Sequence, residues 1–141
     1  MRHVLDSSVG FKWVVPEPDS DKAIRLRDDY RNGTVELLAP DVFPIEIAHA
    51  LTRAERQGRI TPAQGAIALA DVSSLLPRLH ASFPLLPRAY QISSQVRIGV
   101  YDCLYVALAE REGCQLITAD DRLMRALQPQ CPFLLSLSSL P

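Results

Sequence analysis

A chain of 141 residues fits one compact domain, residues 1–141, long enough to withdraw roughly 68–70% of its unfolded surface from water without disulfide or metal staples. With 48% hydrophobic and 22% charged residues it falls among ordinary globular proteins, which excludes the disordered and fibrous classes. A net charge of −1 gives no overall pull toward nucleic acid, although 13 of the 15 basic residues are arginine, the side chain suited to forked phosphate contacts.

Arg2 to Leu5 is a short apolar strand ending in Asp6-Ser7-Ser8. No signal peptide is expected, because Asp6 interrupts the N-terminus before an apolar segment develops, and no apolar run reaches the ~20 residues a bilayer needs. Val9 to Val15 offers one or two helical turns, closed by Pro16 and Pro18. Asp19-Ser20-Asp21 supplies N-cap chemistry for a helix on Ala23, Ile24, Leu26 and Tyr30 that ends at Asn32-Gly33. Val35 to Leu38 is a second strand, stopped by Pro40. Pro44 to Gly58 reads as a helix with Pro at its start and Gly at its end; Ile47, Ala48, Leu51 and Ala54 form its apolar face, and Glu46 looks outward from it.

Thr61-Pro62-Ala63-Gln64 is a capping box for a helix to about Leu76, with Ala66, Leu69, Ala70 and Ser73 as a stripe of small residues. The prolines between Pro77 and Pro87 permit a short strand at Phe83–Leu86, followed by a helix from Arg88 to Ile98. In Tyr101–Glu110 the residues from Cys103 to Ala109 are apolar on every face, so this helix is buried, with Gly113 as its terminator and Asp102 at the mouth of the core. Cys114–Thr118 is a strand, Ala119-Asp120-Asp121 opens a helix to Leu127, and Phe133–Leu137 is the last strand. Cys103, Cys114 and Cys131 lack metal-ligand spacing and read as reduced thiols of a cytoplasmic protein. The alternation of strands and helices predicts an α/β fold around a mainly parallel sheet, with ligands bound at the carboxyl ends of its strands.

Four carboxylates stand out by position: Asp6 and Asp120 at strand ends, Asp102 at the buried helix, and Glu46 early in an amphipathic one. Each has an ordinary reading as a cap or a solvated residue. Together they would repel by about 3 kcal/mol per pair at ~5 Å and an effective dielectric of ~20. No basic residue adjoins Asp6, Glu46 or Asp102 in the chain, whereas Mg²⁺ or Mn²⁺ suits oxygen ligands and zinc would want His or Cys. His3, His49 and His80 are scattered. Nucleotide-binding glycine loops and the serine-hydrolase elbow are absent.

Three blocks, VLDSSVGFKWVVPEP, FPIEIAHALTRAERQGRI and YDCLYVALAEREGCQLITADDRL, resemble those of PIN-domain ribonucleases, specifically the VapC toxins of toxin–antitoxin pairs. The resemblance places Asp6, Glu46, Asp102 and Asp120 on the family's catalytic, metal-binding quartet, with Ser8 and Thr118 as supporting hydroxyl residues; Asp121 matches no obligatory position and is a possible helper. It implies a single PIN-like domain with three α/β/α layers, a homodimer, and cleavage of tRNA or ribosomal RNA by a water activated by Mg²⁺ or Mn²⁺. It further implies a VapB-type antitoxin as partner, with DNA bound only through that complex. Arg53, Arg56 and Arg59 are candidate RNA contacts, although a solvated helix end explains them as well. The competing readings are a catalytically inactive interaction module, a metal-dependent phosphatase and a DNA nuclease.

Overall fold

Short β-branched and leucine-rich runs become strands here because their neighbours on both sides are apolar helices, which lets a parallel sheet be covered on both faces. The computed structural model describes residues 1–141. Its strands are β1 (Arg2–Leu5), β2 (Glu36–Pro40), β3 (Arg78–His80), β4 (Gln115–Thr118) and β5 (Leu134–Ser136). The helices are α1 (Ser7–Phe11), α2 (Ser20–Arg31), α3 (Phe43–Arg56), α4 (Pro62–Ser74), α5 (Leu86–Val96), α6 (Val100–Glu112) and α7 (Asp121–Leu127). All strand pairs are parallel, in the order β3-β2-β1-β4-β5, so the expected three-layer α/β/α architecture is the one observed. His3 of β1 lies opposite Leu37 on one side and Gln115 on the other.

The chain leaves β1 toward β2 and β3, then returns to the opposite side of β1 as β4. That reversal opens a crevice at the carboxyl ends of β1 and β4, where ligands gather in sheets of this kind. Asp6 is the residue just past β1, and Asp120 lies two residues past β4.

Helix α6 is the centre of the core, as its all-round apolarity predicts: Cys103 through Ala109 are buried, and the helix packs on β1, β2, β4 and α5. It stops at Gly113, whose φ of 64° is a left-handed conformation that glycine adopts without Cβ strain. Helix α1 meets α3 at Gly10, where a Cβ would collide with the Phe43 ring. This close approach fixes how far Asp6, before α1, stands from Glu46 on α3. A buried arginine ties α2 to α4: Arg27 donates to Asp71 Oδ1 at 3.1 Å and to the Asp71 carbonyl at 2.8 Å, with its guanidinium over the Trp13 ring.

Several local expectations are corrected. The strand before α5 is Arg78–His80, not Phe83–Leu86, because Arg78-Leu79-His80 can pair with β2 while Pro84 lacks an amide and sits in a 3₁₀ turn. Strand β2 runs through Pro40, whose missing donor lies at the strand's last residue. Helix α4 has its capping box, but it packs through Gly65, Ala68 and Val72, and the Ala66-Leu69-Ala70-Ser73 stripe faces solvent. Asp19 precedes α2 in a left-handed conformation without a capping bond; Ser20 Oγ instead accepts from the Glu17 amide at 2.9 Å. All three cysteines are free thiols.

Candidate active site

Each acidic side chain reaches the crevice from a different element. Asp6 follows β1, Glu46 stands in the first turn of α3, Asp102 in the first turn of α6, and Asp120 follows β4. All four line one cleft of about 380 Å³, together with Ser7, Ser8, Lys12, Glu17 and Arg53. Asp121 lies outside that lining.

The ordinary capping readings separate cleanly. Asp6 occupies the N-cap position of α1 but makes no capping bond with its side chain. Asp102 is the third residue of α6, whose N-cap is Gly99. Asp120 does cap α7, Oδ1 accepting from the Arg122 amide at 2.9 Å and the Leu123 amide at 3.2 Å. Glu46 looks away from the core face of α3, as its helical position predicts, yet it is half-buried against α6 rather than solvated.

Hydroxyl groups hold the buried carboxylates. Ser8 Oγ donates to Asp6 Oδ2 at 2.5 Å and Thr118 Oγ1 donates to the same oxygen at 2.9 Å. Ser8 also accepts from the Ala119 amide at 3.0 Å, and Thr118 from the Asp120 amide at 3.0 Å. The end of β4 is thereby locked to the end of β1 through two hydroxyls. Tyr105, fully buried in α6, donates its phenol to Glu46 Oε1 at 2.6 Å. Its role was hidden in an apolar run, but a buried tyrosine needs a partner for its hydroxyl, and that requirement was readable.

Burial and mutual repulsion push Asp102, Asp6 and Glu46 upward. Asp102 rises from 3.8 to about 6, first through desolvation and then through the charges of Asp6, Asp120 and Glu46, with Arg122 opposing weakly. Asp6 is raised by burial against the pull of its Ser8 and Thr118 bonds. Glu46 is raised by burial against the pull of Tyr105. None of the four forms an ion pair: the nearby Lys12 ammonium is held by Glu17 at 3.2 Å, and Glu17 also takes Arg59 at 2.8 Å. Arg53 reaches the cleft mouth, while Arg56 is exposed outside its lining.

Four oxygen donors, none of them in an ion pair, fit a hard divalent cation and not a soft one. No three acidic, histidine or cysteine side chains stand close enough together to hold a metal ion by themselves.

Residues 3–127 match the family model described as PIN domain. The chain is 36% identical over 96 residues to the protein named VapC ribonuclease Mb0985 of Mycobacterium bovis, covering 68% of this chain and 74% of that one. It is 32% identical over 123 residues to the protein named Ribonuclease VapC3 of Mycobacterium tuberculosis, covering 87% and 85%. Among solved structures it resembles PAE2754 from Pyrobaculum aerophilum with a TM-score of 0.69 at 22% identity, over 99% of this chain and 94% of that one. It also resembles VapBC2 from Rickettsia felis, bound to a DNA fragment from the promoter, with a TM-score of 0.64 at 14% identity, over 96% and 97%. These two likenesses speak for the fold.

Proposed function

Because the chain belongs to the PIN-domain family, among its VapC ribonucleases, we propose that it is an endoribonuclease that requires Mg²⁺ or Mn²⁺ and serves as the toxin of a toxin–antitoxin pair. The observation that carries this reading is the meeting of Asp6, Glu46, Asp102 and Asp120 in one cleft with no ion pair among them. Asp6, Glu46 and Asp102 would hold the cation, directly or through its waters, and Asp120 would complete the site or help to position a second ion. When bound, the ion supplies Lewis-acid activation of water and neutralises charge on the departing 3′ oxygen.

The chain's own residues prepare that chemistry. Ser8 and Thr118 fix one oxygen of Asp6, so its carboxylate meets the cleft in a single orientation. Tyr105 does the same for Glu46. Asp120 spends Oδ1 on the α7 cap, which leaves Oδ2 for the cleft. Burial of Asp6 and Tyr105 keeps bulk water from this end of the site, which strengthens electrostatic contacts there. Arg53, with Arg56 one turn further along α3, gives the RNA backbone a cationic approach.

RNA is the substrate because the relatives that match over most of the chain are named as ribonucleases, and the target form we propose is an exposed loop of tRNA or ribosomal RNA. The partner is a VapB-type antitoxin, the toxin itself is a homodimer, and promoter DNA is met only through the complex, in keeping with the DNA-bound VapBC2 assembly of like fold. No helix is long and apolar enough to cross a membrane.

The test is incubation of the purified, antitoxin-free protein with total cellular RNA and Mg²⁺ or Mn²⁺, beside EDTA and Asp102→Asn controls, with new 5′ ends mapped by sequencing. Discrete cuts that vanish in both controls support the reading. A folded, ion-binding protein that leaves all RNA intact overturns it, and a chromogenic phosphate ester or single-stranded DNA then separates the phosphatase and DNA-nuclease readings from an inactive module.

A further inference from the structure

Arginines in this chain divide into two populations. Arg2, Arg27, Arg31, Arg59, Arg78, Arg88 and Arg111 are held by acidic side chains, and Arg25 donates to the terminal carbonyl of Pro141. Only Arg53, Arg56, Arg97, Arg122 and Arg125 make neither an ion pair nor a side-chain hydrogen bond. Two of these five belong to the Glu46 helix. The other three line a second cleft, of about 410 Å³, on the far side of the acidic pair Asp102 and Asp120, which form a wall common to both clefts.

This second cleft is costly to the free protein. Arg122 and Arg125 are exposed like charges three residues apart on α7, a spacing that places them on one face and makes them repel. Arg97 ends α5 with φ 63° and ψ 44°, in the left-handed region. Asp19 is left-handed at a helix start, and the other left-handed residues that follow the C-terminal ends of helices are Gly33, Gly58 and Gly113, residues free of Cβ strain. An arginine at such a position, with no partner for its guanidinium, sacrifices backbone comfort for a charge at the cleft. Strain retained in this way marks a functional position. Between the guanidinium groups the cleft is floored by Val96, Ile98, Leu123 and Ala126, apolar surface against which a ribose or a base face can rest.

We propose that the cleft of Arg97, Arg122 and Arg125 is a nucleotide subsite that takes the backbone phosphates of single-stranded RNA on the side of the scissile bond opposite Arg53. It rests on the ribonuclease reading and gives the substrate a path: the strand enters past Arg53, bends over the four carboxylates and continues between Arg97 and the α7 arginines. A duplex is a poor fit, because Asp6 and Asp102 are recessed and the scissile phosphate must be lowered between two rims. A single strand can follow that contour.

Two variants test the subsite against a labelled oligo(U) of about 12 nucleotides, with binding followed by fluorescence anisotropy in EDTA so that no cleavage is involved. Arg122→Gln/Arg125→Gln removes two phosphate contacts; it weakens binding at low salt by at least about tenfold and reduces the slope of log affinity against log salt by about 1.4. Arg97→Gly removes a charge while relieving the left-handed strain, so it raises the melting temperature and lowers RNA affinity together. A folding defect cannot produce that pair of opposite signs. Arg31→Gln/Arg78→Gln, which removes two charges already held by acids, leaves affinity and slope unchanged. Equal affinity and slope in wild type and in the α7 double variant overturns the subsite, as does equal weakening by the Arg31/Arg78 control. If the wild type cuts cellular RNA while the α7 variant binds normally, the subsite fails and the ribonuclease reading stands. If the α7 arginines carry binding but no RNA is ever cut, the ribonuclease reading fails and the subsite stands.

Discussion

Replacing Asp102 by Asn removes a charge from the cleft while conserving shape, and it moves stability and activity in opposite directions. Holding the Asp102 carboxyl at about 6 in place of 3.8 costs the ionised folded state up to about 3 kcal/mol at neutral pH. Asp102 is only half-buried, so solvent screens part of this and about 1–2 kcal/mol remains. The sign follows from a raised folded value: the stability tied to this group is complete below 3.8 and is lost as pH climbs through about 6. Asn never ionises and escapes the loss. In EDTA at about pH 7.5, Asp102→Asn is therefore expected to melt about 3–6 °C above wild type, and the gap closes as pH falls through that window. Saturating Mn²⁺ reverses the advantage, because an ion at about 100 times its dissociation constant adds about 2.7 kcal/mol to a protein that binds it. Thermal melts by circular dichroism with and without Mn²⁺ at two pH values read all of this, while RNA cleavage falls to background. A variant that melts at or below wild type in EDTA at pH 7.5 refutes the electrostatic reasoning, and an undiminished cleavage rate removes Asp102 from the mechanism.

Tyr105→Phe removes the 2.6 Å bond to Glu46, a hydrogen bond to a charged acceptor worth about 1.5–3 kcal/mol, so the Glu46 carboxyl is pushed further up. Its Mn²⁺-binding profile then rises at higher pH than wild type, and calorimetric titration across pH gives the comparison; superimposable profiles would rule out this positioning role. Thr118→Val keeps volume but strands the Asp120 amide and weakens ionised Asp6, at about 2–4 kcal/mol in urea melts. The loss is larger in alkaline than in acidic buffer, since the bond favours the charged form, and a loss that ignores pH contradicts the assignment. Gly10→Ala drives a methyl into Phe43 and parts α1 from α3, for about 1–3 kcal/mol of stability and weaker Mn²⁺ binding. Unaltered ion affinity in a destabilised Gly10→Ala protein would show that the α1–α3 contact does not set the site.

Where periodicity and chain breakers agree, the fold could be read directly. The continuous apolar run of α6 announces burial, Gly113 its end, and Thr61-Pro62-Ala63-Gln64 the start of α4. The stretch before α5 was harder, because Arg78-Leu79-His80 carries almost no apolar signal and becomes a strand only through pairing with β2. Tertiary context overrides local preference there. The four acids were legible because strand ends and a buried helix mouth are conspicuous places for charge. What the chain could not disclose was which bases remain unpaired: Arg59 and Arg53 look alike in sequence, and only the fold brings Glu17 to Arg59. The same holds for Arg97, Arg122 and Arg125, drawn from two helices and assembled by the return of the chain past β1.

The junction of β1 with β4 also imposes an order of events. Asp6 and the Thr118 hydroxyl that orients it are separated by 112 residues of chain. A chain emerging N-terminus first can pair β1 with β2 early, but that edge of the crevice stays open until β4 arrives. Asp102 and Asp120 come into place in the same late step. For an enzyme that cuts RNA, and is itself assembled on a particle built of RNA, this order keeps the growing chain inert until β4 and Asp120 have been made.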